Sequence, residues 1–463
     1  MKVLRAPRAT PEQLRIIGDT RVGTEIIRGA AGSGKTTTAL LRLRNLSDMF
    51  QSQHLRTGIT APVQALVLTY NRTLRGYVEA LAREQASRTR GVGLSVSTCA
   101  EWAVRLANKP KIQSHRASEI LRYAHQRGVK LQNDFLLSEI EYILGRFPPQ
   151  HYNSYLDVER TGRGNAPRVD RTTRERLLAV INDYRGSIKK IGKIDWEDLP
   201  QRVCALPSEN YEIIVIDEAQ DFSANQLRSV IKHLAPINAL TLVLDTAQRL
   251  YPRGYTWTEA GIDARLVRIY RLEQNHRNTI EVANFARGLL SGLTVDDDGT
   301  LPNLKHATRH GTLPFVLRGR YSDQLGAAVH QIKEEVDLKE DTVAFLHPRG
   351  WFGELKKRLL HEHLEFEEIT RERDWPSSDA NIVLCTMHSA KGLEFDHVVI
   401  LGLNAEVTPH GEGDDDDRLA TLRRLLAMAV ARARKSVVLG YKPSEASSLV
   451  KYFLAGTFEE RDV

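Results

Sequence analysis

The run Gly29-Ala30-Ala31-Gly32-Ser33-Gly34-Lys35-Thr36 fits the pattern G-x-x-x-x-G-K-[ST]. Glycines at these positions let the backbone curl until its N–H groups face phosphate oxygens. The apolar pair Ile26-Ile27 precedes the run and Thr38-Ala39-Leu40-Leu41 follows it, so the loop joins a strand to a helix, as the motif requires. The positive end of that helix adds to the anion site. Lys35 is expected on the β- and γ-phosphates of a nucleoside triphosphate, and Thr36 on its Mg2+. A glycine-rich turn with no ligand is the alternative, and the strand–loop–helix context weighs against it.

A second constellation lies far along the chain. Tyr211-Glu212-Ile213-Ile214-Val215-Ile216 is an apolar run that ends in the adjacent carboxylates Asp217 and Glu218, followed by Ala219-Gln220-Asp221. A strand end beside a phosphate loop is where such folds hold their second magnesium group. Asp217 is expected to hold Mg2+, through water, and Glu218 to polarise the attacking water as a general base. Alternation along a strand would point the two neighbours differently and split their roles. Acidic residues after a strand also cap helices, so the pairing with the phosphate loop decides the reading.

Elements must bring these groups together. Short apolar, β-rich runs alternate with helical stretches at Glu25–Arg28, Ala65–Thr69, Glu212–Ile216, Thr241–Leu244 and Val267–Tyr270. A second series follows at Thr342–Leu346, Asn381–Thr386, His397–Leu401 and Ser436–Leu439. Apolar runs between helices predict parallel sheets buried on both faces. Two series predict two α/β domains, split near Glu273 to Asn275. The stretch from about Ala107 to Lys190 is charged and mostly helical, with breaks at Phe147–Gln150 and Thr161–Pro167, and reads as a helical insertion in the first domain. The expected division is 1–106 with 191–274, then 107–190, then 275–463.

Composition sets limits on partners. The net charge is +7, yet residues 1–130 hold 22 Lys/Arg against 8 Asp/Glu. A basic portion of that kind suits a polyanion, although a solvated surface looks the same in sequence. No run of eighteen apolar residues predicts a membrane span, and Met1 to Thr10 has no apolar core of a signal peptide. Cys99, Cys204 and Cys385 are too scattered for a zinc or iron–sulfur site and odd in number, which fits a reducing, cytoplasmic compartment. The aspartates Asp414 to Asp417 read as a solvated loop rather than a metal site.

The phosphate loop followed by Asp217-Glu218-Ala219-Gln220-Asp221 resembles the UvrD/Rep/PcrA branch of superfamily 1 helicases, and further blocks follow in that family's order. Thr10-Pro11-Glu12-Gln13 is similar to the Q motif, Leu68-Thr69-Tyr70-Asn71 to motif Ia and Val96-Ser97-Thr98 to motif Ib. Leu244 to Tyr251 is similar to motif III, Leu272 to Thr279 to motif IV, Thr386 to Phe395 to motif V, and Arg423 to Ala433 to motif VI. The resemblance implies two RecA-like P-loop motor domains with parallel sheets and a helical insertion in the first. It implies a DNA-stimulated ATPase that uses ATP and Mg2+ and translocates 3′ to 5′ on single-stranded DNA, with RNA the lesser candidate.

The same resemblance implies individual roles. Gln13 would read the adenine, Gln248 would sense the γ-phosphate, and Glu394 would bind the ribose. Arg277 and Arg432 would be arginine fingers from the second domain, neutralising charge on the γ-phosphoryl oxygens. Tyr70, Asn71, Thr98, Tyr251, Arg253, Trp257, Thr386 and His388 would touch the DNA strand, the aromatic ones by stacking that ignores base identity. The chain also departs from the family. His276 stands where a tyrosine usually stacks on adenine, and Thr37 where an arginine often follows the phosphate loop, which puts strict ATP preference in question. Pro252-Arg253-Gly254 replaces an aromatic-Arg-Gly run, with Trp257 downstream. Only the segment His361 to Ala380 stands where the family carries a large 2B subdomain, room for a loop and little more. A second function class is therefore open: an ATP-switched recognition subunit of a complex, such as a phage-defence system, with a separate nuclease or other protein as partner. No nuclease motif is found in the chain itself.

Overall fold

The computed structural model describes residues 9–29, 33–69, 75–76, 78–79, 82–83, 85, 91–158, 169–244, 255–272, 278–293, 307, 309–369, 380–390, 393–410 and 416–463. Two all-parallel sheets organise them. The first holds β1 (Gly23–Gly29), β2 (Val63–Thr69), β3 (Val92–Thr98), β4 (Tyr211–Ile216), β5 (Leu234–Leu244) and β6 (Arg268–Leu272) in the order β3-β2-β4-β5-β1-β6. The second holds β7 (Phe315–Arg318), β8 (Val343–His347), β9 (Phe366–Ile369), β10 (Ile382–Thr386), β11 (Phe395–Ile400), β12 (Ala433–Tyr441) and β13 (Glu459–Asp462) in the order β13-β7-β12-β11-β8-β10-β9. The chain thus has an α/β fold with two parallel-sheet domains that resemble RecA-like folds, with helical regions interspersed.

Central strands are apolar on both faces because helices cover both sides. Ile27, Val67, Val215 and Val243 face one layer of the first sheet, while Ile26, Leu68, Ile216 and Leu242 face the other. The second sheet is built the same way, with Val383, Val398 and Leu439 on one face and Leu384, Val399 and Val438 on the other. The order of the first sheet sets β1 between β5 and β6, so the loop leaving β1 emerges near the chain that leaves β4.

Helices Arg116–Gln126, Asn133–Arg146 and Arg171–Lys190 pack around a core of their own that includes Ile140, Ile143, Tyr155, Leu177 and Tyr184. The two ends of this stretch meet in a parallel bridge between Ile112 and Ile194. It is tied to the first sheet's layer by Asn225, whose Nδ2 donates to the carbonyls of Leu144 (2.7 Å) and Phe147 (2.9 Å). The expected break at Phe147–Gln150 is where a 3-10 helix, Pro149–Leu156, begins; Thr161–Pro167 lies outside the described residues.

Four strands were not expected: β3, β7, β9 and β13. The segment His361 to Ala380, with room for a loop and little more, contributes β9, the edge strand beside β10. Among the described residues, no helix is long and apolar enough to cross a membrane.

The helix Lys35–Thr57 is fixed to the sheet by a charge buried without solvent contact. Arg42 and Glu25 are both fully buried, 2.9 Å apart, and Glu25 also meets Arg268 at 2.7 Å. Arg42 further donates to Thr241 Oγ1 (2.6 Å) and to the Asp19 carbonyl (2.9 Å). Burial pushes the Glu25 carboxyl up and the Arg42 guanidinium down, so their attraction only partly offsets lost hydration. Arg42→Ala should destabilise this domain by about 3–5 kcal/mol, because Glu25 would keep a buried charge with less compensation. The double variant Arg42→Met/Glu25→Met should recover most of the loss. Denaturant midpoints measure both, and an unchanged midpoint in Arg42→Ala would contradict the role given to the pair.

Candidate nucleotide site

The site is assembled where β1 and β4 end. Gly29 closes β1, and a Cβ there would come within 2.7 Å of the Leu272 carbonyl oxygen and closer still to the Ser33 hydroxyl. Gly34 has φ +76, in the left-handed region, and caps the helix Lys35–Thr57. A side chain at Gly34 would also strike Gln13. The glycine pattern therefore answers two demands, backbone conformation and close approach.

Gln13 is placed by local structure. Thr10 caps the helix Pro11–Ile17 in a capping box, in which Gln13 Oε1 accepts from the Thr10 N–H (2.9 Å). Gln13 Nε2 donates to the Ser33 carbonyl (3.0 Å), which ties that helix to the phosphate loop. Thr37 is half-buried in the first turn of the next helix.

Thr36 Oγ1 donates to Asp217 Oδ1 at 2.9 Å, across 181 residues of sequence. Asp217 is 2% exposed, and its Oδ2 is buried with no hydrogen-bond partner among the described residues. Burial first, and the neighbouring Glu218 charge second, push its carboxyl well above the usual carboxylate range. A buried carboxylate oxygen without a partner, beside a threonine hydroxyl and a phosphate loop, is a donor set that fits a nucleotide-bound divalent cation. Thr36 and Asp217 are the residues that could hold it.

Glu218 adopts φ +52 and ψ +43, unusual for a residue with a side chain. Strand β4 has ended at Ile216, so this left-handed turn re-aims Glu218. The alternation expected from the sequence is not the device that separates the two carboxylates. A conformation of this kind costs about 1–3 kcal/mol and persists where the surroundings hold it. The Glu218 carbonyl accepts from the Asp221 N–H (2.9 Å), and its carboxylate accepts from Gln220 Nε2. Gln220, only part of a motif block in the sequence, orients the candidate base through this bond.

The second sheet brings its own set together. Arg432 is 2% exposed, with Nε donating toward Met428 Sδ and Nη1 toward the Leu393 carbonyl, both at 3.4 Å. Its own carbonyl accepts from the Phe395 N–H (3.0 Å), so the half-buried Glu394 lies beside it. Asn278, a residue the sequence reading gave no role, is buried and donates to the carbonyls of Ala431 (3.1 Å) and Ala433 (2.5 Å), on either side of Arg432.

The nucleic-acid candidates divide. Thr386 ends β10 and exchanges a hydrogen bond with Ser389 (2.9 Å), with the half-buried His388 between them. Thr98 is buried, and its hydroxyl caps the helix Cys99–Leu106 by accepting from the Glu101 N–H (3.2 Å). Trp257 is half-buried, packed against the first sheet's core and edge-on to Tyr255 with ring centroids 6.3 Å apart. Ala30, Ala31, Gly32, Tyr70, Asn71, Gln248, Tyr251, Arg253, His276 and Arg277 lie outside the described residues. Of the four aspartates read as a solvated loop, Asp416 instead caps the helix Asp417–Val430.

A phosphate-loop α/β protein with a carboxylate pair at the end of a neighbouring strand, and a second parallel sheet after it, is the class that this geometry defines. Comparison with known proteins narrows it. Residues 351–444 match the UvrD-like helicase C-terminal domain. A probable DNA helicase of Mycoplasma pneumoniae is 24% identical over 286 residues, which cover 58% of this chain and 52% of that protein. The ATP-dependent DNA helicase Rep of Buchnera aphidicola subsp. Schizaphis graminum is 32% identical over 83 residues, 18% of this chain and 11% of its own length. The ATP-dependent DNA helicase PcrA of Staphylococcus aureus is 30% identical over 93 residues, 19% and 13% of the two chains. Among solved structures, the C-terminal domain of a possible DNA helicase from Lactobacillus plantarum aligns with a TM-score of 0.30 at 20% identity, covering 40% of this chain and 98% of that one. The matches therefore span about half or less of the curated relatives' own lengths. Over these stretches the chain is similar to UvrD-like, Rep and PcrA helicases, most directly in residues 351–444.

Proposed function

We propose that this chain is an ATP-hydrolysing motor that moves 3′ to 5′ along single-stranded DNA, with ATP held between two motor domains divided as the sequence suggests. The observation that carries the proposal is the Thr36–Asp217 hydrogen bond, which joins the phosphate loop to the strand end bearing Glu218. Lys35 and the loop's N–H groups bind the phosphates, and Gln13 lies against the loop to meet the base. Thr36 and Asp217 hold a magnesium ion, which supplies charge neutralisation on the phosphoryl oxygens. Glu218, held by Gln220, takes the proton of the attacking water. Arg432 and Arg277 reach the γ-phosphate from the second domain. The Rep and PcrA relatives are ATP-dependent DNA helicases by name, which supports the choice of substrate.

The segment His361 to Ala380 contributes only a short strand among its described residues, and we propose that no 2B subdomain is present. Stepping along one strand then lacks a duplex-engaging element, so strand separation depends on a partner protein. Streptavidin displacement tests direction. ATP should drive the chain to displace streptavidin from a 5′-biotinylated oligonucleotide and not from a 3′-biotinylated one. Equal or reversed displacement would contradict the polarity.

A further inference from the structure

The loop that leaves β8 carries an exposed tryptophan that none of the motif blocks covers. Trp351 is 53% exposed. A single exposed apolar side chain is ordinary on a protein surface, so its support decides the reading. Its ring stacks on His347, centroids 5.9 Å apart and planes 28° from parallel. His347 is the last residue of β8 and is 5% exposed. Its Nδ1 accepts from the backbone N–H groups of Arg349 (3.0 Å) and Trp351 (3.2 Å). Burial first, and the Arg349 charge second, push the His347 imidazolium down to about 4, so the ring is neutral and keeps this acceptor at ordinary pH. One buried ring thus fixes both the backbone and one side of the tryptophan.

The loop also has a defined place at the end of the second sheet. β8 and β10 are parallel neighbours, with His347 opposite Thr386 in register. The loops leaving their C-terminal ends lie side by side, and the Met387 N–H donates to the His347 carbonyl (3.3 Å). Gly350, at φ +74, packs so closely that a Cβ would sit 3.2 Å from Thr386 Cγ2. Arg349, a cation in the same turn, is held by the Val407 carbonyl (3.4 Å).

We infer that Trp351 is a nucleobase-stacking platform of the second domain, which holds one base of a single strand beside Thr386 and His388. The role rests on the motor reading above, and it adds a contact that the sequence did not disclose. A flat aromatic face takes any base, which suits a motor that must step through all sequences. A ring already fixed by stacking and backbone hydrogen bonds loses little freedom when a base covers it.

The test compares wild-type full chain with Trp351→Ala, Trp351→Leu and Trp351→Phe. Fluorescence anisotropy reports binding to labelled oligothymidylate and to a strand of the same length made of abasic residues, at one low salt concentration. Trp351→Ala and Trp351→Leu should bind oligothymidylate roughly 5- to 150-fold more weakly, and Trp351→Phe should keep most of the affinity. The abasic strand should bind all four proteins alike. Wild-type affinity for oligothymidylate in Trp351→Ala would overturn the inference. So would an equal loss on the abasic strand, or full rescue by leucine, since either would mark a packing role. A wild-type chain that bound neither strand would overturn the motor reading and this role with it.

Discussion

Glu218→Gln should lose ATP turnover by roughly 10²- to 10⁴-fold, the usual contribution of a positioned general base, and still bind ATP. The substitution is nearly isosteric. A glutamine oxygen at position 218 can accept the hydrogen bond that Gln220 Nε2 now gives to the carboxylate, so the left-handed turn and its side chain keep their arrangement. What is removed is the capacity to take a proton from water. Lys35→Ala should differ in kind, weakening nucleotide binding and turnover together, because the proposed contact of the lysine with the phosphates would exist in the ground state as well. Phosphate release and equilibrium binding of a fluorescent ATP analogue separate the two patterns. Turnover at the wild-type rate in Glu218→Gln would refute the assignment of the base.

Arg432→Ala should reduce turnover on the order of 10³-fold with ATP still bound, and Arg277→Ala should do the same, because such arginines stabilise charge that develops only in the transition state. Arg432 now lies inside the second domain, against Met428 and the Leu393 carbonyl, beside Glu394. Its loss therefore also removes packing. Arg432→Lys separates the effects: it keeps a charge and a long stem but lacks the planar fork that meets two phosphoryl oxygens at once. Turnover in Arg432→Lys should stay far below wild type at an unchanged melting temperature. Recovery of wild-type turnover by lysine would show that a charge alone suffices there and would exclude a forked contact.

The sequence disclosed what burial dictates. β1, β2, β4, β5, β8, β10, β11 and β12 are legible as apolar runs because they sit inside their sheets with helices on both faces. β9 (Phe366-Glu367-Glu368-Ile369) and β13 (Glu459-Glu460-Arg461-Asp462) lie at sheet edges, the first half charged and the second wholly so, and pairing with a neighbour makes them strands where their own pattern does not. β7 is only four residues long, and β3 is half-exposed along most of its length.

The candidate site shows the same division. Lys35, Thr36, Asp217 and Glu218 are readable because local sequence fixes a loop and a strand end. The turn at Glu218, the grip of Asn278 on the carbonyls flanking Arg432 and the stacking of Trp351 on His347 are tertiary facts, with no periodicity to betray them. Trp351 follows Gly350 in an unremarkable loop, and only the pairing of β8 with β10 sets that loop beside Thr386.

The most direct measurement of the central claim is steady-state ATP turnover by the purified chain, alone and with saturating oligothymidylate or blunt duplex DNA. Mg2+ is present throughout, and Glu218→Gln serves as the blank. A single-strand motor should hydrolyse ATP slowly by itself, at least tenfold faster with oligothymidylate, and little faster with the duplex. The same turnover in all three conditions, or no turnover above the Glu218→Gln blank, would contradict it.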